Sequence, residues 1–239
     1  MPATAEKFRA FWADKTSPMS RSEHPEFLRQ MAAELTLLFG NRCPISVLEI
    51  GCGNGCLFDF MGFSPYSYRG VDFGPRMIET FRRRHPRLDL IEAEGSSYVD
   101  DSAYDLILVH DVIAHFTTEM LADHCRNARR MMHAESLLVW GSVPWRELRN
   151  TFDFGMWSND GAVSPVRWVK THLRRMLGRD RMGHWYRMAE ISRIARQNSL
   201  HVRFHGSIAY PYRFHAVLWP SSPSDRPTMG PVLQSPGRS

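Results

Sequence analysis

Between residues 45 and 140, short apolar runs alternate with stretches of helical periodicity, and few folds accommodate that alternation. Ile45–Ile50, Tyr68–Asp72, Asp89–Ala93, Asp105–Val109 and Ser136–Trp140 have the length and apolar content of buried strands. Residues 55–62, 75–84 and 117–132 carry helical spacing between them. Strands joined by helical crossovers run parallel, and the helices cover both faces of the sheet. Two alternating segments follow, Ser199–His205 and Arg213–Trp219, with Gly206 and Pro211 in the link and a helix over 188–198 before them. They predict an antiparallel hairpin that closes the sheet. The expected architecture is a doubly wound, mostly parallel seven-stranded α/β sheet.

Residues 1–40 read as an N-terminal helical cap within the 239-residue chain. Phe8, Phe11 and Trp12, then Phe27, Met31, Leu35 and Leu38, recur at helical spacing over residues 5–39, with a loop at Asp14–Pro18 and a stop at Gly40-Asn41. The domain proper is expected over 41–219. Residues 146–187 have no place in the alternating pattern and read as an insertion after the fifth strand. Residues 220–239, rich in Pro, Ser and Gly, are expected to be disordered. No run of 18 apolar residues is present, so no membrane span is expected. The segment Met1–Phe8 lacks the apolar core of a secretory signal, and a cytoplasmic location is expected. Cys43, Cys52, Cys56 and Cys125 form no CxxC pair, which disfavours a disulfide framework or a metal site. The formal charge of +5 is mild and reads as a solvated surface.

The segment Val47-Leu48-Glu49-Ile50-Gly51-Cys52-Gly53-Asn54-Gly55 runs from strand through glycine loop into helix. Glycines serve there where the chain turns tightly and where backbone approaches a ligand. The spacing is E-x-G-x-G-x-G, which is neither the dinucleotide fingerprint nor a phosphate-binding loop with its Lys-Ser/Thr. A second acid, Asp72, ends the next strand, where a carboxylate can accept hydrogen bonds from ribose hydroxyls.

These residues resemble the class I S-adenosylmethionine-dependent methyltransferase family over residues 45–142, extending over 188–219. Four stretches match in order: Glu49 to Gly55, Tyr68 to Asp72, Glu94-Gly95-Ser96 and Tyr104 to Phe116. The resemblance implies a Rossmann-like fold and S-adenosyl-L-methionine as cofactor. It implies that Glu49, Gly51, Cys52, Gly53 and Gly55 form the loop around the methionine end and that Asp72 holds the ribose. Phe73, Glu94 and Gly95 would meet the adenine, and His110 the methionyl part through its backbone. Glu94 stands where the family more often has aspartate. The cofactor is a zwitterion with a sulfonium cation, so carboxylates and carbonyls near it and glycine backbone beneath it suit its chemistry.

Methyl transfer needs alignment and exclusion of water, and an oxygen or nitrogen nucleophile also needs a base. His115 and Asp111, in the turn after the fourth strand, are the candidate catalytic residues. The insertion carries Trp157, Trp168, His184, Trp185 and Tyr186, which either wall an acceptor pocket or pack the insertion onto the sheet. It also carries Arg167, Lys170, His172, Arg174, Arg175, Arg179 and Arg181, which suit a solvated face or an acidic acceptor. Tyr210, Tyr212 and Arg213 are further candidates for pocket walls. A small-molecule acceptor is the favoured partner. An RNA or protein acceptor is the alternative, weakened by the absence of a nucleic-acid module and of an Asn/Asp-Pro-Pro-Tyr motif. A non-catalytic cofactor-binding protein is the third reading.

Overall fold

The computed structural model describes residues 12, 15–16, 24–39, 44–156, 164–177 and 183–221. Its centre is a seven-stranded sheet in the order β3-β2-β1-β4-β5-β7-β6. The strands are β1 (Val47–Ile50), β2 (Tyr68–Asp72), β3 (Asp89–Glu92), β4 (Tyr104–His110), β5 (Met132–Pro144), β6 (Leu200–Gly206) and β7 (Arg213–Pro220). Strands β1 to β5 pair in parallel, and β7 runs antiparallel between β5 and β6. The seven-stranded mixed sheet with its antiparallel closing pair agrees with the sequence expectation.

Both faces are covered, which explains why β4 reads as an unbroken apolar run rather than an alternating one. Leu106 and Leu108 face α1 (Pro25–Leu38), α2 (Phe58–Met61) and α3 (Pro75–Arg84), packing with Met31, Leu35, Phe58 and Phe81. Ile107 and Val109 face α4 (Thr118–Arg130) and α7 (Met188–Gln197), packing with Leu121, Cys125, Ile191 and Ile194. The period of two along a strand sends neighbouring residues to opposite cores.

Several boundaries differ from the sequence expectation. The helix expected over 55–62 shrinks to α2, because Asn54 Oδ1 accepts the Cys56 N–H at 3.2 Å and Gly55 bonds back to Cys52, which makes a turn of the first residues. The fifth strand extends well beyond 136–140. Its exposed first residues carry no apolar signal, yet Met132 pairs with Tyr104 across a register shift. Pro220 belongs to β7 and Ser221 N–H donates to Ser199 O, so the sheet reaches into the expected tail. Most of the predicted helical stretch before residue 24, Phe8 and Phe11 included, lies outside the described residues. So do Trp157, Arg179, Arg181 and the tail from 222.

The chain leaves β5 through a short 3-10 turn into α5 (Arg149–Asp153) and α6 (Pro165–Met176) and returns at Tyr186. Trp145 and Tyr186 form an isolated bridge, and the Tyr186 hydroxyl donates to Phe116 O at 2.7 Å. Tyr186 is fully buried and Trp185 nearly so. These two aromatics pack the insertion onto the sheet, which decides between the two readings left open for them.

One buried polar cluster ties α1 to the far side of the sheet. Glu34 accepts the N–H groups of Ile208 and Ala209 at 2.6 and 3.2 Å. His215 on β7 accepts the Ser142 N–H at Nδ1, so its proton sits on Nε2 and is donated to Glu34 at 2.8 Å. Burial pushes the Glu34 carboxyl up, but the His215 and backbone donors outweigh it and hold it below the usual range.

Candidate active site

The strand order reverses direction beside β1: the chain steps from β1 to β2 and β3 on one side and then crosses to β4 on the other. At such a switch point the loops leaving the C-terminal ends of the strands diverge and leave a crevice. A cleft of about 860 Å³, its open mouth included, lies there. Gly51 and Gly53 leave β1, Asp72 and Phe73 end β2, Glu94 and Gly95 follow β3, and His110, Asp111 and His115 follow β4; all nine line it. Trp12, Met77, Phe116 and Met120 are among the other wall residues.

Two of these glycines do different work from each other. A Cβ on Gly51 would lie 2.1 Å from the Val112 side chain, so that glycine permits the close approach of two loops. A Cβ on Gly53, at φ +54°, would meet nothing within 4 Å. The backbone is therefore open toward the cleft at Gly53. Asp72 fixes this cradle: one carboxylate oxygen accepts the Gly53 N–H at 2.9 Å and the other the Gly74 N–H at 2.8 Å. Burial raises the Asp72 pKa, and the two backbone donors oppose the rise. Each carboxylate oxygen keeps a lone pair beyond these bonds.

Glu49, Cys52 and Gly55 stand behind the wall. The Glu49 carboxyl accepts the Tyr68 hydroxyl at 2.5 Å, and burial pushes its pKa up to about 7. Cys52 is buried, with its N–H on Val71 O. A Cβ on Gly55 would lie 2.1 Å from the Phe81 ring, so this glycine serves packing of the loop on α3. Gly95 is similarly tight, with Ile50 2.5 Å from a would-be Cβ. Its carbonyl accepts the His124 Nδ1–H at 3.3 Å, which fixes the Glu94–Ser96 loop.

On the β4 side, His110 is partly buried, and burial lowers its pKa to about 4. Its Nδ1 lies against Gly141, where a Cβ would come within 2.6 Å. Asp111 takes up the left-handed region at φ +56° and is ion-paired with Arg213 of β7. Burial raises the Asp111 pKa, but the Arg213 charge outweighs it and holds the carboxyl below the usual range. Arg213 also donates to Ser142 O at 3.2 Å and lies 4.8 Å from the Tyr210 ring centroid. Tyr210, Tyr212 and Arg213 thus brace the turn from behind and do not line the cleft. His115 does line it, edge-on to Trp12 with ring centroids 6.0 Å apart. Burial is the largest influence on its imidazole and lowers its pKa, with Arg213 adding to the effect and Asp111 opposing it, so the ring is neutral at neutral pH.

Trp12, Met77, Phe116 and Met120 were not singled out for the site from sequence. Their only signal was helical or strand periodicity, which reads as core.

Residues 47–135 match the family model described as a methyltransferase domain. No curated protein matches the chain by sequence. Among solved structures, Streptomyces venezuelae DesVI aligns with a TM-score of 0.62 at 16% identity, covering 91% of this chain and 98% of that one. The Synechocystis magnesium protoporphyrin IX methyltransferase with bound SAH aligns at 0.57 and 16% identity, covering 90% and 93%. The Haemonchus contortus phosphoethanolamine N-methyltransferase 1, in complex with phosphoethanolamine and S-adenosylhomocysteine, aligns at 0.67 and 14% identity, covering 92% of this chain and 50% of that one. Residues 47–135 match a methyltransferase domain, and the seven-stranded sheet built around them has the fold of these S-adenosylmethionine-dependent methyltransferases.

Proposed function

We propose that the acceptor is a small molecule methylated at oxygen or nitrogen, with His115 as the base. The observation that carries this reading is that one cleft holds both the Gly53–Asp72 cradle and a neutral imidazole. Residues fitting S-adenosylmethionine are present: an open glycine backbone, a half-buried carboxylate at the end of β2, and apolar walls from Phe73 and Met77. The cofactor supplies an electrophilic methyl carbon on a sulfonium when bound. Gly51, Gly53 and Asp72 would hold its amino-acid and ribose parts, and Phe73, Glu94 and Gly95 its adenine. Trp12, Phe116 and Met120 exclude water from the rest of the cleft. His115 takes the proton that an O–H or N–H acceptor loses; Asp111, already ion-paired with Arg213, is the poorer base.

Among the described residues, the cleft walls carry three carboxylates and no Lys or Arg. An acidic acceptor would therefore find its cations in the insertion rather than in the walls. Structures of the same fold include enzymes named for a porphyrin and for phosphoethanolamine, both small molecules.

Incubation with isotopically labelled cofactor and a small-molecule extract, followed by mass spectrometry, tests the acceptor class. Label recovered in a small molecule supports the reading; label confined to RNA or protein contradicts it. For the base, His115→Gln is expected to lower kcat about a hundredfold or more, with cofactor Kd within about twofold. The wild-type activity should persist below the usual histidine range, because a lowered pKa keeps the ring unprotonated there. An acid limb unchanged in His115→Gln would remove His115 from the role.

A further inference from the structure

Helix α6 carries an apolar stripe that the described residues do not cover. Val166, Val169, Leu173, Met176 and Leu177, the last just beyond its end, are between 48% and 72% exposed. At 100° per residue these five fall within a 100° arc, so they make one continuous strip along the helix. The face toward the protein is a different one. Trp168 stacks on Phe154 with ring centroids 5.5 Å apart and on His172 at 5.1 Å. The helix is thus seated by Trp168 on Phe154 and presents its apolar strip outward. Scattered exposed apolar residues are ordinary, but an aligned strip of five marks a docking surface.

The charge of the segment identifies what docks there. Residues 161–179 hold Arg167, Lys170, Arg174, Arg175 and Arg179 and no Asp or Glu. Arg167, Lys170 and Arg174 occupy the register positions adjoining the apolar strip, and Lys170 is exposed. A second copy of this helix would bring cations against cations with no acid to answer them. A polyanion such as RNA would satisfy the cations and leave the strip in water. An apolar strip bordered by cations matches a bilayer surface rich in anionic headgroups, which takes up both.

We infer that α6 docks this methyltransferase on an anionic lipid surface, lying in the interface with Val166, Val169, Leu173, Met176 and Leu177 among the acyl chains. No helix among the described residues is long and apolar enough to cross a membrane, so the contact is peripheral. Beyond α6, the His184 N–H donates to Ala114 O at 2.6 Å in the turn that carries His115.

The test is co-sedimentation of the full chain with phosphatidylcholine vesicles, plain or containing about 30% phosphatidylglycerol. Binding is expected to the anionic vesicles, weakening as salt rises toward about 0.5 M. The double variant Val169→Glu/Leu173→Glu should bind at least about tenfold more weakly, and Lys170→Glu about fivefold or more. All these positions are exposed, so the thermal midpoint and cofactor affinity should be unchanged, which separates this claim from that of the cleft. Arg83→Glu, exposed on α3, makes the same charge change elsewhere and should weaken binding less. Failure to bind anionic vesicles at low salt would overturn the inference. So would binding indifferent to the stripe variants, or an Arg83→Glu effect equal to that of Lys170→Glu. A dimer or an RNA complex dissolved by the stripe variants, without vesicle binding, would assign the surface to another occupant and overturn it as well.

Discussion

Asp72 is the residue on which cofactor affinity should depend most directly. Its carboxylate orders the Gly53 N–H and is the acceptor available to ribose hydroxyls. Asp72→Ala leaves buried donors without a partner, which costs on the order of 1–3 kcal/mol. Cofactor Kd is therefore expected to rise about tenfold or more, read by calorimetry, with the far-ultraviolet spectrum unchanged. Asp72→Asn keeps one acceptor oxygen and should lose less; equal losses would mean that the negative charge, and not hydrogen-bond acceptance, is what matters. The two glycines separate in the opposite way. Gly53→Ala meets open space and should weaken the cofactor while lowering the melting midpoint only by its backbone strain, by several degrees at most. Gly55→Ala drives a methyl into the Phe81 ring and should lower the melting midpoint while the loop's ligand face is untouched. At φ +54° and +75° both pay a comparable left-handed strain of about 1–2 kcal/mol, so the difference isolates the clash. Gly51, Gly53 and Asp72 were legible because the glycine loop is contiguous in sequence and Asp72 closes the next strand. Trp12 was not legible as a wall residue, and Asp111–Arg213 was invisible because 102 residues separate the partners.

At the scale of elements, α1 depends on one hydrogen-bonded cluster around Glu34 more than on its capping: its N-cap, His24, makes no side-chain cap bond. Glu34→Ala leaves two backbone N–H groups and the His215 Nε2–H without their acceptor, all in or beside the core. Each buried donor left without its acceptor costs about 1–3 kcal/mol. For a chain of this size the midpoint should fall by roughly 10 °C. A loss under about 2 °C would mean water replaces the carboxylate. The pair is 181 residues apart in sequence, and nothing local announces it. Strand β4 was easy to read because burial on both faces makes its centre, Leu106–Val109, an unbroken apolar run. The start of β5 was not, because residues 133–135 are exposed, polar or small, and lie in a register shift between the Met132 and Leu137 pairings. Helix α6 was read only as a basic run; its outward apolar strip becomes meaningful once Trp168 is seen to face the other way.

Across the whole molecule, the buried histidines set the response to acid. Burial lowers the pKa of His110 and His124 to about 4 and also lowers those of His115, His184 and His215. The unfolded chain takes up protons near the ordinary value of about 6.5, while the folded one resists. A depressed histidine pKa thus contributes stability that is full above pH 6.5 and lost as pH falls toward the folded value. Glu34, also depressed, loses its contribution at still lower pH, in the same direction. The melting midpoint should therefore fall steadily below about pH 6.5, and more shallowly in His124→Gln. The fold class and the class of chemistry were both legible from the strand alternation and the E-x-G-x-G-x-G loop, because those signals are local. The acceptor was not, because the walls that meet it come from separate parts of the chain and have no common motif. The central claim is that the cleft beside β1 binds S-adenosylmethionine, and isothermal calorimetry with S-adenosylhomocysteine tests it most directly. The account predicts one site with a Kd between about 1 μM and about 1 mM, or roughly −8 to −4 kcal/mol, weakened about tenfold by Asp72→Ala; absence of heat and of any thermal shift at several millimolar ligand, on the order of the weakest affinity allowed, would contradict it.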